Sequence, residues 1–287
     1  MDANSYYKGK VCVVTGAGSG MGKACAELLV AEGAIVYALD IQPVDVEGIE
    51  RFVQVDLSKK ESVDAAFAEL PEHIDSFFGV AGVMGSDMPF NVVTCIDLIS
   101  NKYMMESLLP DRMSEGGSIA LVSSGTALTW DAEGNLKYVK PVVDTPGWDE
   151  AIAVLDASGI NETNAGFAYM FAKYGVNYLV AKMQKFYGRK GIRVNAIMPG
   201  GTRTRFGQES GLDVSVVEIT DDSGYCGYSM RLADPKEMAR PLMFLNSDMA
   251  SYVSGALVPV DYGTTVEVAA GLRGNPVGNY TMADIFG

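Results

Sequence analysis

Hydrophobic positions along the chain fall into two alternating patterns. Brief, continuous apolar runs rich in β-branched residues end at glycine, serine or aspartate, and longer stretches between them carry apolar residues three and four apart. The brief runs read as buried strands, at 10–15 (KVCVVT), 34–39 (AIVYAL), 51–55, 76–80, 117–123, 192–198 and 256–260. The spaced stretches read as helices, among them 21–31, 59–70, 92–109, 166–188 and 235–245. Strands alternating with helices imply right-handed crossovers and a parallel sheet covered on both faces. The expected fold is therefore α/β, a doubly wound parallel sheet of about seven strands. No repeat, low-complexity tract or linker divides the chain, so residues 1–287 are expected to form a single domain.

Two stretches break the alternation, at about 125–165 and about 203–232. Both follow strand ends on the side where such sheets bind ligands, which makes them candidate substrate-covering loops. In the first, Pro146-Gly147 punctuates the chain, and WDEAIAVLDA (148–157) sets Ile152 and Leu155 three apart with acids on the other side. A short amphipathic helix is expected there, ending at Gly159. Its apolar side should lie over the ligand edge of the sheet, as a lid, or against a neighbouring subunit.

Composition narrows the class. An apolar content of 48% with 32 Gly is enough for a buried core with tight turns. A net charge of −14 argues against nucleic acid and anionic membranes as partners. Cys12, Cys25, Cys95 and Cys226 have neither CxxC nor metal-ligand spacing and read as reduced core residues. No metal site is expected. The start, MDANSYYKGK, lacks an apolar h-region, and no apolar run reaches the ~18 residues that would span a bilayer. A cytoplasmic protein is the expectation. His73, the only histidine, reads as a surface residue rather than a base.

Residues 15–22, TGAGSGMG, join the first strand to the first helix. Met21 breaks the G-x-G-x-x-G spacing, and Ala17 and Ala24 exclude a Walker A loop. What remains is Gly16-x-x-x-Gly20-x-Gly22. Gly16 would permit the turn, Gly20 the approach of a pyrophosphate, and Gly22 close packing of a helix whose N-terminus offers N–H donors. Asp40 ends the second strand, where a carboxylate can accept hydrogen bonds from an adenosine ribose and repel a 2′-phosphate. Ile41 follows it, and no Arg or Lys lies in the loop before Gly22. NAD is the expected cofactor.

A tyrosine followed one helical turn later by a lysine can perform proton chemistry. Chance predicts less than one Tyr-x-x-x-Lys in a chain with 14 Tyr, and three occur: Tyr6/Lys10, Tyr169/Lys173 and Tyr178/Lys182. The first runs through Gly9 into a strand. The other two share one helix nine residues apart, and at ~100° per residue they project from opposite sides. Only one can face a cofactor.

The segments TGAGSGMG, Asp56-Leu57, Val80-Ala81-Gly82, IALVSSGTA, YMFAK, IRVNAIMPGGTRT and SYVSGALVPVDYG occur in the order of the short-chain dehydrogenases/reductases, which the chain resembles over nearly its whole length. The resemblance implies a Rossmann fold and selects Tyr169, which lies 30 residues before Pro199, over Tyr178, which lies 21 before it. Ser124, Tyr169 and Lys173 are then the expected catalytic residues, with Ser123 the rival to Ser124. A nearby ammonium favours the phenolate and would draw the tyrosine, ordinarily near pKa ~10, toward the working range. Ser124 would hydrogen-bond the substrate oxygen. The resemblance further implies cofactor contacts at Gly16, Ser19, Gly20, Met21, Gly22, Asp40, Asp56, Leu57, Gly82, Tyr169, Lys173, Pro199, Thr202 and Thr204. It also implies a homodimer or homotetramer.

The chain departs from the family in three places. Val80 stands where Asn is usual. The helix Asn that supports the lysine through water has no clean match: counting back from Pro110 reaches Asp97, and Asn101 lies one turn on. Ser124 and Tyr169 are 45 apart, which marks the 125–165 insertion and resembles the layout of bacterial 3α-hydroxysteroid dehydrogenases. The expected function is NAD(H)-dependent interconversion of a secondary alcohol and a ketone on a hydrophobic ring substrate, best a hydroxysteroid or bile acid. Leu128, Trp130, Trp148, Tyr225, Tyr228 and Met230 supply apolar surface for it. A dihydroflavonoid-type ketone would read identically. An acyl-carrier-protein reductase would want a basic docking patch that this acidic chain lacks. A dinucleotide-sensing binding protein would not need the tyrosine and lysine.

Overall fold

Each of the seven apolar runs forms a strand because alternate residues can be buried on both faces of one sheet. In the structure, a computed structural model describing residues 5–85, 88–160, 165–204, 231–275, 278 and 281–286, the strands are β1 (Val11–Thr15), β2 (Ile35–Asp40), β3 (Arg51–Gln54), β4 (Ser76–Gly79), β5 (Ser118–Val122), β6 (Arg193–Pro199) and β7 (Leu257–Val260). All pair in parallel, in the order β3-β2-β1-β4-β5-β6-β7. Val13, Phe77 and Ile119 point into one apolar cluster, while their neighbours Val14, Phe78 and Ala120 point into another. This is the period-2 alternation of a sheet buried on both sides.

The helices are α1 (Gly20–Ala31), α2 (Lys60–Ala68), α3 (90–108), α4 (Glu133–Asp144), α5 (Asp149–Ala157), α6 (Ala165–Gly188), α7 (Pro235–Asn246), α8 (Thr264–Ala269) and α9 (Met282–Phe286). α1 and α7 cover one face, and α2, α3 and α6 the other. The chain reverses its winding between β1 and β4, where Thr15 Oγ1 accepts from the backbone N–H groups of Val80 and Ala81 at 3.0 and 3.2 Å. That junction is the switch point at which doubly wound sheets bind ligands. No described helix is long and apolar enough to cross a membrane.

α3 contains two π turns, Cys95–Ile99 and Met104–Leu108. Each admits an extra residue into the helix and re-aims the side chains that follow.

The 125–165 insertion holds the expected helix, α5, with Gly159 beyond its end at φ +71°, and a further helix, α4, that the sequence reading left out. Ala151 and Leu155 of α5 are buried within the same chain, not spread over an open edge. Trp148 stands edge-on to Tyr103 of α3 with ring centroids 5.8 Å apart. Val139, Val142 and Val143 bury α4 in the same cluster. α9 then fastens α4: the Asn135 Oδ1 accepts from Met282 N at 2.7 Å, and Phe286 meets Tyr138 and Phe167 edge-on, both at 5.8 Å. Most of the 203–232 loop, with Tyr225, Cys226, Tyr228 and Met230, lies outside the described residues.

Candidate active site

The glycine loop turns where only glycine fits without strain. Gly16 has φ +70°, and a Cβ there would lie 2.7 Å from the Ala81 Cα. At Gly22 a Cβ would lie 2.0 Å from the Gly16 carbonyl oxygen, so α1 packs directly on the turn. Ser19 precedes α1 without making a side-chain cap, which leaves the first-turn N–H groups open at the sheet edge, as an anion requires. Met21 packs against the core. Thr204 lies over this loop, 3.1 Å from where a Gly20 Cβ would stand. An open cavity of about 380 Å³ beside Gly20 is lined by Lys23, Arg203 and Lys236 together with Glu27 and Asp234, and Lys236 lies 3.7 Å from Glu27.

Asp40 ends β2 beside this loop. Its Oδ2 accepts from Gly18 N at 2.8 Å and its Oδ1 from Gln42 N at 2.9 Å. Asp56 is turned to Ser58, whose hydroxyl donates to it at 2.6 Å, and to Lys59 at 2.8 Å, while Leu57 is buried. Pro199 closes β6. Thr202 donates to Gly200 O at 3.1 Å, and Thr204 to Thr202 O at 3.5 Å. These features fit a dinucleotide lying along the strand ends: an uncapped helix N-terminus, a turn too tight for side chains and a carboxylate at the end of β2.

Ser124, Tyr169 and Lys173 come together at the end of β5. The buried Tyr169 phenol is hydrogen-bonded to the Ser124 side chain. Ser124 Oγ also accepts from Thr126 N at 3.1 Å and from the Thr126 hydroxyl at 3.0 Å. Its rival Ser123 donates instead to the Lys173 carbonyl at 3.3 Å. Lys173 Nζ stands 5.3 Å from the Tyr169 ring centre and donates to Val122 O at 3.1 Å.

The helix residue behind the lysine is Asp97, in the first π turn of α3. Its Oδ2 lies 3.0 Å from Lys173 Nζ, with the side chains 0% and 3% exposed. Its Oδ1 accepts from Val83 N at 2.8 Å. A Cβ at Gly82 would stand 3.2 Å from both the Asp97 and the Lys173 charged atoms, so Gly82 serves the ion pair as well as any ligand. Asn101 does not reach the lysine; its amide donates to Asp97 O at 3.2 Å.

The electrostatics differ from the expectation of an ammonium that simply draws the phenol down. Burial raises the Tyr169 pKa and Asp97 adds to that, against Lys173 and Ser124, so the phenol is held above its ordinary value. Burial opposes the Lys173 charge, but Asp97 and Tyr169 outweigh it and hold the ammonium protonated. Burial also pushes the Asp97 carboxyl up, against the pull of Lys173 and Val83 N–H.

The second pair lies elsewhere. Tyr178 donates to Asp144 at 3.1 Å, while Lys182 binds the Val143 carbonyl and lies 3.3 Å from Glu106 Oε1, in the second π turn of α3. Glu106 also holds the fully buried Lys102 at 2.7 Å. Lys173 and Lys182 of α6 thus both reach α3, although only the first stands beside Ser124. His73 is exposed and pairs with Asp75 at 2.9 Å.

The sheet edge that fits a dinucleotide thus lies beside a cluster of serine, tyrosine and lysine. Residues 10–136 match the family model for short chain dehydrogenase, and residues 136–265 the one described as enoyl-(acyl carrier protein) reductase. The coniferyl-alcohol dehydrogenase of Pseudomonas sp. (strain HR199 / DSM 7063) is 31% identical, over 88% of this chain and 96% of its own. The levodione reductase of Leifsonia aquatica is 27% identical, over 90% and 94%. Among solved structures, the NADH complex of a 3-alpha-hydroxysteroid dehydrogenase from Pseudomonas sp. B-0831 superposes with a TM-score of 0.74 at 22% identity, covering 92% of this chain and 99% of that one. The chain belongs to the short-chain dehydrogenase/reductase family. It is accordingly an oxidoreductase of alcohol or ketone substrates that binds a nicotinamide dinucleotide.

Proposed function

We propose that the protein interconverts a secondary alcohol and a ketone on a hydrophobic ring substrate, with NAD(H) as cofactor and a hydroxysteroid or bile acid as the best-matched substrate. The observation that carries the reading is the Tyr169 phenol hydrogen-bonded to Ser124 with Lys173 one turn away. NAD rather than NADP is supported by Asp40 beside Gly18, with Ile41 next in the chain. A 2′-phosphate there would meet the Asp40 carboxylate, and the next residue, Ile41, offers it no charge.

Gly16, Gly20, Gly22 and the open N–H groups of α1 would hold the pyrophosphate. Asp40 would take the adenosine ribose, Asp56 and Leu57 would border the adenine, and Pro199, Thr202 and Thr204 the nicotinamide. Bound NAD(H) supplies the hydride or accepts it. In ketone reduction, Tyr169 Oη gives its proton to the carbonyl oxygen, and Ser124 hydrogen-bonds the same oxygen as negative charge builds on it. Lys173 stabilises the phenolate left behind. In oxidation, the phenolate takes the hydroxyl proton. Trp130 and Leu128, partly buried just beyond Ser124, supply apolar surface for the ring.

The test is a panel of steroids, bile acids, aryl alcohols and small alcohols with NAD, followed at the NADH absorbance. The reading expects turnover confined to ring-bearing members. Turnover of none, or of small acyclic alcohols alone, overturns it.

A further inference from the structure

Among the described residues, Asp97 is the buried acid that the proton-transfer scheme leaves without a task. It is fully buried, lies 3.0 Å from Lys173 Nζ, and has its other oxygen fixed by Val83 N–H. No water fits between a carboxylate and an ammonium at that distance. The contact is therefore direct, where a neutral amide would leave the lysine with its full charge.

We propose that Asp97 is a positioning residue for the Tyr169 proton transfer: as direct counter-ion of Lys173 it cancels part of the positive field at the phenol. It thereby keeps the site a proton donor to ketones at neutral pH and moves alcohol oxidation to alkaline pH. This inference rests on the alcohol/ketone reading above.

The geometry leaves few other groups to set that balance. From α6, Lys173 faces the phenol; from the end of β5, Ser124; from α3, Asp97. The loop after β4 contributes only the Val83 N–H and the bare Cα of Gly82, and β5 the Val122 carbonyl. Asp97 is thus the one described acid close enough to oppose Lys173. An ion pair taken out of water interacts far more strongly than one at the surface. Its removal should be felt at the phenol, one helical turn away. The equilibrium between alcohol and ketone is untouched; what changes is the pH at which each direction runs.

The experiment measures kcat/KM against pH at saturating cofactor, in both directions, for wild type, Asp97→Asn and Asp97→Ser. NADH affinity and circular dichroism are followed in parallel. Removing the carboxylate should move the alkaline-rising limb of oxidation toward acid by at least about one pH unit, with the falling limb of reduction moving alike. NADH affinity should change less than about threefold. A packing role would lower thermal stability and kcat at every pH without moving the limbs. Superimposable pH profiles overturn the inference while leaving the alcohol/ketone reading intact. A limb displaced toward alkali overturns it also. Failure of both variants to fold would make Asp97 a structural group and overturn it too. A wild type that turns over no ring alcohol or ketone sinks the underlying reading instead.

Discussion

The Tyr178 hydroxyl lies 3.1 Å from both carboxylate oxygens of Asp144, the last residue of α4. With Lys182 on the neighbouring Val143 carbonyl, this tyrosine–lysine pair fastens the insertion to α6. The look-alike pair about two and a half turns earlier stands beside Ser124. Tyr169→Phe should therefore lower turnover at least about 10²-fold, in the range of a lost positioned proton transfer, while NADH binding by fluorescence titration stays nearly unchanged. Tyr178→Phe should keep kcat within about twofold and lower thermal stability slightly. The reverse ranking would show that the wrong pair has been chosen.

Cofactor choice should rest on Asp40. Wild type is expected to favour NAD strongly, and Asp40→Ala to narrow the preference by at least about tenfold, ~1.4 kcal/mol. Loss of the Gly18 N–H contact should also weaken NAD itself. Comparing kcat/KM for NADH and NADPH checks this; equal use of both by wild type contradicts it.

Two tryptophans of the insertion should separate by measurement. Trp148 is 3% exposed and wedged on Tyr103, so Trp148→Ala should cost about 3–5 kcal/mol in a denaturation experiment. Trp130 is only partly buried, just past Ser124. Trp130→Ala should raise KM for a ring substrate severalfold and leave KM for NAD unchanged. An unchanged substrate KM would argue against the insertion as a lid.

At the return of the 203–232 loop, Glu237 receives a bidentate contact from Arg231 at 2.6 and 2.7 Å and completes a capping box with Asp234. Arg231 and the Asp234 N–H hold its carboxyl down at about 2. A depressed carboxylate stabilises the fold above its unfolded value, ~4.5, and that contribution fades as pH falls toward about 2. Glu237→Gln should thus melt below wild type at pH 7, and the two melting curves should converge between pH 4.5 and pH 2. A gap that stays constant with pH would contradict the assignment.

The sheet was readable from sequence because a strand buried on both faces is a plain apolar run, needing no knowledge of its neighbours. The place of Tyr169 and Lys173 beside Ser124 was readable because helical spacing and the distance to Pro199 that the resemblance implies agree. α4 was not: Pro141 and the polar stretch EGNLKYVK speak against a helix, although Asn135, Val139, Val142 and Val143 keep the spacing of a buried face. Neither were the π turns, which are properties of the hydrogen-bond ladder and change no residue type. Counting by regular turns therefore could not choose between Asp97 and Asn101. Nor did the pattern of the last residues announce α9, whose burial depends on meeting Asn135 and Phe167 from far away in sequence.

Asp97 and Glu106 are nine residues apart on α3, and their partners Lys173 and Lys182 are nine apart on α6. Two ties at equal intervals along helices that run the same way act as a gauge of length. A residue gained or lost between 98 and 105 would swing Glu106 by ~100° and uncouple it from Lys182, leaving the first tie in place. The same gain or loss between 174 and 181 would restore the match. These two segments, far apart in the chain, are thus bound to change length together or not at all. Lys173, the lysine proposed to act beside Tyr169, is one end of that measure.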